Sequence, residues 1–179
     1  MNCPVCKNQK LVPGQLEQNL TARKCEGCGG HWINSFEFWR WIQEGKASNT
    51  RPTGRPVPLP ESEPKGAKIC PECGHILGRF PAGHSLGFKL DRCGHCGGIW
   101  FDRNEWEALR ERELLPQVHL IFSQAWQARV RREETAEHLD ELFRQRVGEA
   151  DYAEAKRVKA WLRQHPHREK LLAFLENEE

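Results

Sequence analysis

A paired C-x-x-C pattern that occurs twice, a helix-capping signature directly after each copy, and three-and-four spacing of apolar residues beyond Pro116 together predict the fold class. It is a pair of small zinc-ribbon β-hairpin modules, each followed by a short helix, plus an α-helical C-terminal region. The repeat decides the architecture and is taken first. Cys3-Pro4-Val5-Cys6, followed by Cys25-Glu26-Gly27-Cys28-Gly29-Gly30-His31-Trp32, recurs as Cys70-Pro71-Glu72-Cys73, followed by Cys93-Gly94-His95-Cys96-Gly97-Gly98-Ile99-Trp100.

Two C-x-x-C pairs some 15–20 residues apart supply the four thiolates of a tetrahedral zinc site from opposite ends of a hairpin. Here the gaps are 18 and 19 residues. The expected ligands are Cys3, Cys6, Cys25 and Cys28 for one ion and Cys70, Cys73, Cys93 and Cys96 for a second, giving two structural Zn2+ per chain. Glycines at 27, 29 and 30, and at 94, 97 and 98, permit tight knuckles in which backbone N–H groups face the sulfurs. A module of about 40 residues rarely buries enough surface to fold without such a staple, and zinc binding of about 10–16 kcal/mol supplies the deficit. Two rival arrangements stand beside this one. Cys93-Gly94-His95-Cys96 has the letters of a redox motif, although a redox pair normally stands alone at the start of a helix. Ligands drawn from both repeats are the other, although each copy already holds a full set. His95 sits inside a knuckle whose four thiolates leave no room for it as a ligand.

After each hairpin comes a helix start. Asn34 with Glu37, and Asp102 with Glu105, have the spacing of a capping box, and Ile33/Phe38 and Phe101/Trp106 that of a hydrophobic staple. From Pro116 the apolar positions Val118, Ile121, Phe122, Ala125, Trp126, Val130, Ala136, Leu139, Leu142, Phe143 and Val147 predict one helix of about 30 residues ended by Gly148. Asp151 with Glu154 predicts the start of another, and Pro166 that of a last one. Residues 45–68 hold five prolines with Gly, Ser, Thr and basic side chains and read as a linker, most simply a plain tether. The expected domains are therefore 1–44 (ribbon 1 with helix), 45–68 (linker), 69–115 (ribbon 2 with helix) and 116–179 (helical).

Composition narrows the function. Charged residues make up 29% and hydrophobic ones 38%, with a mean hydropathy of −0.75, which favours small modules over one large core. No run of about 18 apolar residues is available to span a membrane. Met1-Asn2-Cys3-Pro4 lacks the pattern of a secretion signal, so the expected location is cytoplasmic, where cysteines stay reduced. Net charge is +2, but residues 1–68 carry 10 Lys and Arg against 6 Asp and Glu, a local surplus of +4. No nucleophile stands beside a base and no phosphate-cradling loop occurs, so the chain is not expected to be an enzyme. Phe36, Phe38, Trp39, Trp41 and Ile42 spread over more than half of the first helix, which predicts that Trp39 and Trp41 are both covered.

The ribbons resemble the transcription factor IIB type zinc-ribbon family, with its C-P-x-C opening and its C-x-x-C-G-G-x-W close before an acidic helix start. Cys3, Pro4, Cys6, Cys25, Cys28, Gly29, Gly30, Trp32 and Glu37 carry the resemblance in the first copy. Cys70, Pro71, Cys73, Cys93, Cys96, Gly97, Gly98, Trp100, Asp102 and Glu105 carry it in the second. The first copy departs at Asn34, where the second has Asp102, and at Lys7, where glycine is common. The resemblance implies metal binding and, by analogy of fold, a link to transcription. The function expected is a zinc-binding, non-enzymatic adaptor or regulator whose macromolecular partner is a protein. The alternatives are a nucleic-acid binder using basic ribbon 1 and the linker (Arg23, Lys24, Arg40, Lys46, Arg51, Arg55, Lys65, Lys68), and an enzyme with structural zinc.

Overall fold

The computed structural model describes residues 1–58, 66–84 and 86–177, in two compact units, 1–131 and 132–179. In the first, each copy contributes a hairpin and a third short strand: β1 (Val12–Glu17), β2 (Leu20–Lys24) and β3 (His31–Ile33), then β4 (Leu77–Pro81), β5 (Lys89–Cys93) and β6 (Ile99–Phe101). These are not two separate bodies. All six strands form one antiparallel sheet in the order β1-β2-β3-β6-β5-β4, closed across the middle by β3 against β6. The register there is His31↔Phe101, Trp32↔Trp100 and Ile33↔Ile99, so each residue faces the partner that a two-fold axis between the tryptophans would supply. The expectation of independent ribbons on either side of a tether is thereby corrected. A three-stranded sheet would leave the N–H and C=O groups of β3 or β6 open at its edge, and the two copies satisfy each other's.

Alternation along β3 and β6 sorts the core. Trp32 and Trp100 pack among the cysteines together with Leu11 and Leu77. Ile33, Ile99 and Phe101 face the other way, into a larger core with Leu20, Leu90, Trp41, Trp106 and Leu109. Helix α1 (Ser35–Gln43) is capped by Asn34, whose side-chain oxygen accepts from the Glu37 N–H at 2.8 Å. Helix α3 (Glu105–Glu111) starts differently: the Glu105 carboxylate accepts from the Asp102 N–H at 2.8 Å, while the Asp102 side chain caps nothing. The Phe101 and Trp106 rings meet edge to face at 5.2 Å as a staple, and Ile33 and Phe38 are buried in the same core.

Residues 45–58 are more than a tether. A short helix α2 (Lys46–Asn49) buries Ala47, the Glu111 carboxylate accepts from the N–H groups of Thr53 and Gly54, and Val57 packs on the core. Linker residues 59–65, including Lys65, lie outside the described residues. The single helix expected beyond Pro116 is broken. A 3-10 turn (Leu115–Gln117) leads into α4 (Val118–Ile121), and a new helix α5 (Gln124–Val147) begins where Ser123 Oγ accepts from the Trp126 N–H at 3.2 Å. The break lets Val118, Ile121, Trp126 and Val130 all reach the same core.

The second unit comprises the rest of α5, then α6 (Glu149–Gln164) and α7 (Arg168–Glu176). Gly148, at φ 86°, ends α5 as expected. Helix α6 starts at Glu149, so Asp151 stands in its first turn rather than at its cap, where its charge still suits the helix dipole. The Glu154 carboxylate turns to Arg157 Nε at 2.9 Å instead of back toward Asp151. No helix among the described residues is long and apolar enough to cross a membrane.

Candidate metal centres

Each hairpin carries one knuckle at its open end, before β1 or β4, and a second between β2 and β3 or between β5 and β6. The turns bring the thiols together as Cys3, Cys6, Cys25 and Cys28, and as Cys70, Cys73, Cys93 and Cys96, all four sulfurs of a group lying within 4.8 Å of one another. The sets are not interleaved. Sulfurs about 2.3 Å from a central zinc at tetrahedral angles sit about 3.8 Å apart. Cys3 and Cys28 are 3.6 Å apart and Cys6 and Cys25 3.8 Å; Cys70 and Cys96 are 3.6 Å apart and Cys73 and Cys93 3.5 Å. The spacing fits zinc in both groups.

Electrostatics points the same way. Burial pushes Cys3 up to about 11 and holds Cys28, Cys70 and Cys96 above an ordinary thiol. At Cys93 burial is outweighed by the backbone N–H groups of Cys96 and His95, which bring it down to about 7, and at Cys25 those of Cys28 and Gly27 act in the same sense. Four thiols packed this closely cannot all ionise unless a cation compensates them, which is what zinc supplies. The redox reading of Cys93 and Cys96 has no support here: both belong to a group of four, and they lie between two strands rather than at a helix start. His95 stays outside the ligand set and stacks on His75 at 4.2 Å.

Several residues that spacing alone did not reveal hold these centres. Arg103 Nε donates to the Cys28 carbonyl at 3.1 Å, clamping the ribbon 1 knuckle from ribbon 2, and at the equivalent place Ser35 of ribbon 1 packs on Gly97 of the other knuckle. A Cβ at Gly30 would stand 2.3 Å from Trp100 Cζ2, and one at Gly98 2.2 Å from Trp32 Cζ2. The second glycine of each C-G-G-x-W is therefore the seat of the other copy's tryptophan. The equal offset of Ser35 and Arg103 from their knuckles was the available signal, but only a mutual packing of the repeats gives it meaning. Gln9 lies over Gly27, with its Oε1 3.4 Å from Cys25 Sγ.

Lys68 overturns an expectation. Counted among basic residues free to meet phosphate, it is buried, ion-paired to Asp91 and, at 2.5 Å, to Asp102, while Asp102 also accepts from Trp100 Nε1 at 2.7 Å. Burial opposes its charge, but Asp91 and Asp102 together hold its pKa above the ordinary lysine value. Trp39 and Trp41 separate as well: Trp41 is 1% exposed with its ring tilted against Trp106 at 5.4 Å, whereas Trp39 is 39% and Phe36 71% exposed. Helix α1 meets the core along Phe38 and Trp41, with Ile42 packed beside them, and its opposite side remains open to solvent.

Two four-cysteine centres in mutually braced β-hairpins define a tandem zinc-ribbon protein. Residues 2–44 and 69–112 each match the family model described as a transcription factor zinc-finger, a zinc ribbon of the transcription factor IIB type, consistent with two tandem copies. No curated protein and no solved structure matches the chain.

Proposed function

We propose that this chain is a non-enzymatic adaptor or regulatory protein, with zinc as scaffold and a protein as partner. The observation that carries the reading is the open side of α1. Phe36 and Trp39 project there, Trp39 lies 5.4 Å from His119, and Leu120 of α4 is exposed nearby in sequence to that ring. Arg40 stands over Phe36 at 5.9 Å and gives the patch a cationic edge. Aromatic side chains on a rigid base are the usual anchors of protein recognition, because they bury a large area at little entropic cost. The partner surface that suits it is apolar with an acidic border.

The test is affinity capture from native cytosol with the wild-type chain and with Phe36→Ala/Trp39→Ala. The reading expects one protein retained by the wild type and lost with the double variant, both chains holding equal zinc. Capture indifferent to the substitutions, or recovery of nucleic acid alone, refutes it. One observation bears on the nucleic-acid alternative: Lys46, Arg51 and Arg110 line a polar cavity of about 440 Å³ with Asn49, but Glu17 lines it too and pairs with Arg110 at 3.1 Å, and Lys46 is paired to Glu44. That alternative no longer has Lys68 to draw on, and it expects a steep fall of binding with salt.

A further inference from the structure

We propose that the helices of residues 132–179 form a homodimer interface, in which α7 of one chain lies in the α5–α6 groove of a second copy. Within this unit the groove has a volume of about 540 Å³ and is lined by Phe143, Val147 and Tyr152, with alanines making room between them. Lys156, Lys159 and Arg163 line it as well, against the single acid Asp140, which Lys156 reaches at 3.5 Å. The lining is therefore apolar and carries a surplus of two positive charges.

Among the described residues of the unit only Tyr152 and Leu162 are buried hydrophobics, while Leu139, Phe143, Val147, Trp161, Phe174 and Leu175 remain exposed. So few buried side chains give a short helical segment little to hold it together, and leave apolar surface that a second copy can cover. The segment fitted to this groove is present in the same sequence. Leu171, Phe174 and Leu175 stand at i, i+3 and i+4, the spacing of a helix laid into a groove. Leu171 is half-buried, but Phe174 is 77% and Leu175 62% exposed, so the stripe is not used up within its own chain. The described α7, Arg168–Glu176, is itself neutral, with Arg168 and Lys170 against Glu169 and Glu176, but the sequence beyond it adds Glu178 and Glu179, of the sign that the cationic groove favours. One groove and one insert per chain close on themselves through a two-fold axis, each α7 filling the other's groove. This proposal rests on a different surface from the adaptor patch on α1 and stands or falls separately from it.

Sedimentation equilibrium of the full zinc-loaded chain tests it. The expected result is a dimer that dissociates as salt is raised. Phe143→Asp in the groove and Phe174→Asp in the insert each raise the dissociation constant by about 30-fold or more, as loss of an interface anchor does. Both sites face solvent in the single chain, so helicity and zinc content stay at wild-type values. Mixing the two variants restores association, because one chain retains an intact groove and the other an intact insert. A chain that stays monomeric up to about 100 µM, a dimer untouched by both substitutions, or variants that fail to complement each other overturns the proposal.

Discussion

Adding one methyl group at Gly98 tests whether the two ribbons are locked together. In Gly98→Ala the new Cβ would lie 2.2 Å from Trp32 Cζ2, 2.6 Å from Cη2 and 3.0 Å from Cε2, whereas carbons at rest sit about 3.5–4.0 Å apart. The backbone φ of Gly98 is not positive, so the cost is steric and not conformational. Trp32 cannot swing aside: it is buried among the cysteines of both centres, and its Nε1 donates to Glu72 at 3.4 Å. An indole forced back by more than about 1 Å in such a setting places the penalty at the upper end of the overpacking range, about 3 kcal/mol. That is a large part of a domain stability of about 5–15 kcal/mol.

The assay is denaturant unfolding in a fixed excess of zinc, followed by circular dichroism, since bound metal itself shifts the midpoint. Gly94→Ala is the matched control, because its Cβ would meet nothing within 4 Å. Trp32→Leu makes room for the methyl, so the cost of Gly98→Ala in that background falls by at least about 1 kcal/mol, a coupling visible in a double-mutant cycle. If Gly98→Ala proves as benign as Gly94→Ala, or if its effect adds to that of Trp32→Leu, the interlock is refuted.

Three further outcomes follow from the same geometry. The wild-type chain carries two zinc ions and Cys93→Ser one; because β3 and β6 share hydrogen bonds, hydrogen exchange in Cys93→Ser speeds up at Trp32 and Ile33 as well as in ribbon 2, and protection unchanged in ribbon 1 contradicts the shared sheet. Lys7 holds φ 59° where the equivalent Gly74 holds 78°, so Lys7→Gly stabilises the chain by up to about 1 kcal/mol in the same unfolding assay, and a clear loss refutes the strain. Burial first, and then the neighbouring Asp102, raise Glu105 well above an ordinary carboxyl. The folded state therefore holds this proton more tightly than the unfolded one, and stability falls as pH climbs from the unfolded toward the folded pKa; Glu105→Gln lacks that slope, so the wild type loses stability relative to it as pH rises above the ordinary carboxyl value of 4.5, whereas a constant gap contradicts it.

What the sequence disclosed, and what it hid, divides along the range of the interactions. Ligand identity was legible because a tetrahedral ion constrains local spacing: 18 and 19 residues between C-x-x-C pairs leave little choice of partner. Helix content was legible for the same reason, since periodicity is local, and Gly148 stops α5 where a glycine is expected to. The merging of the ribbons was not, because nothing within one repeat says that its third strand pairs with the other's; the glycine and tryptophan of C-G-G-x-W look like parts of one knuckle until each is seen to touch the opposite copy. For that reason the linker reads as a tether and Lys68 as free charge, when Ala47 and Val57 pack on the shared core and Lys68 is buried in an ion pair with Asp102.

The two capping boxes show how one unshared residue changes an otherwise repeated structure. Leu77 donates its N–H to the Lys68 carbonyl as Leu11 does to that of Met1, so Met1 stands in the first copy where Lys68 stands in the second. The Lys68 ammonium and the Trp100 indole N–H draw the Asp102 carboxylate away from the helix, leaving Glu105 to satisfy a backbone N–H by the other half of the box. With methionine in that place there is no cation to answer, Asn34 remains on the α1 terminus, and Glu37 accepts from Thr21 at 2.6 Å and from Arg40 instead. Trp32 then finds its acceptor across the interface in Glu72, a contact the first copy cannot return, because Val5 occupies the equivalent position. The repeats are therefore alike in the groups that bind metal and pack the centre, and unlike in the polar groups around them, which commits each to its own side of the pair.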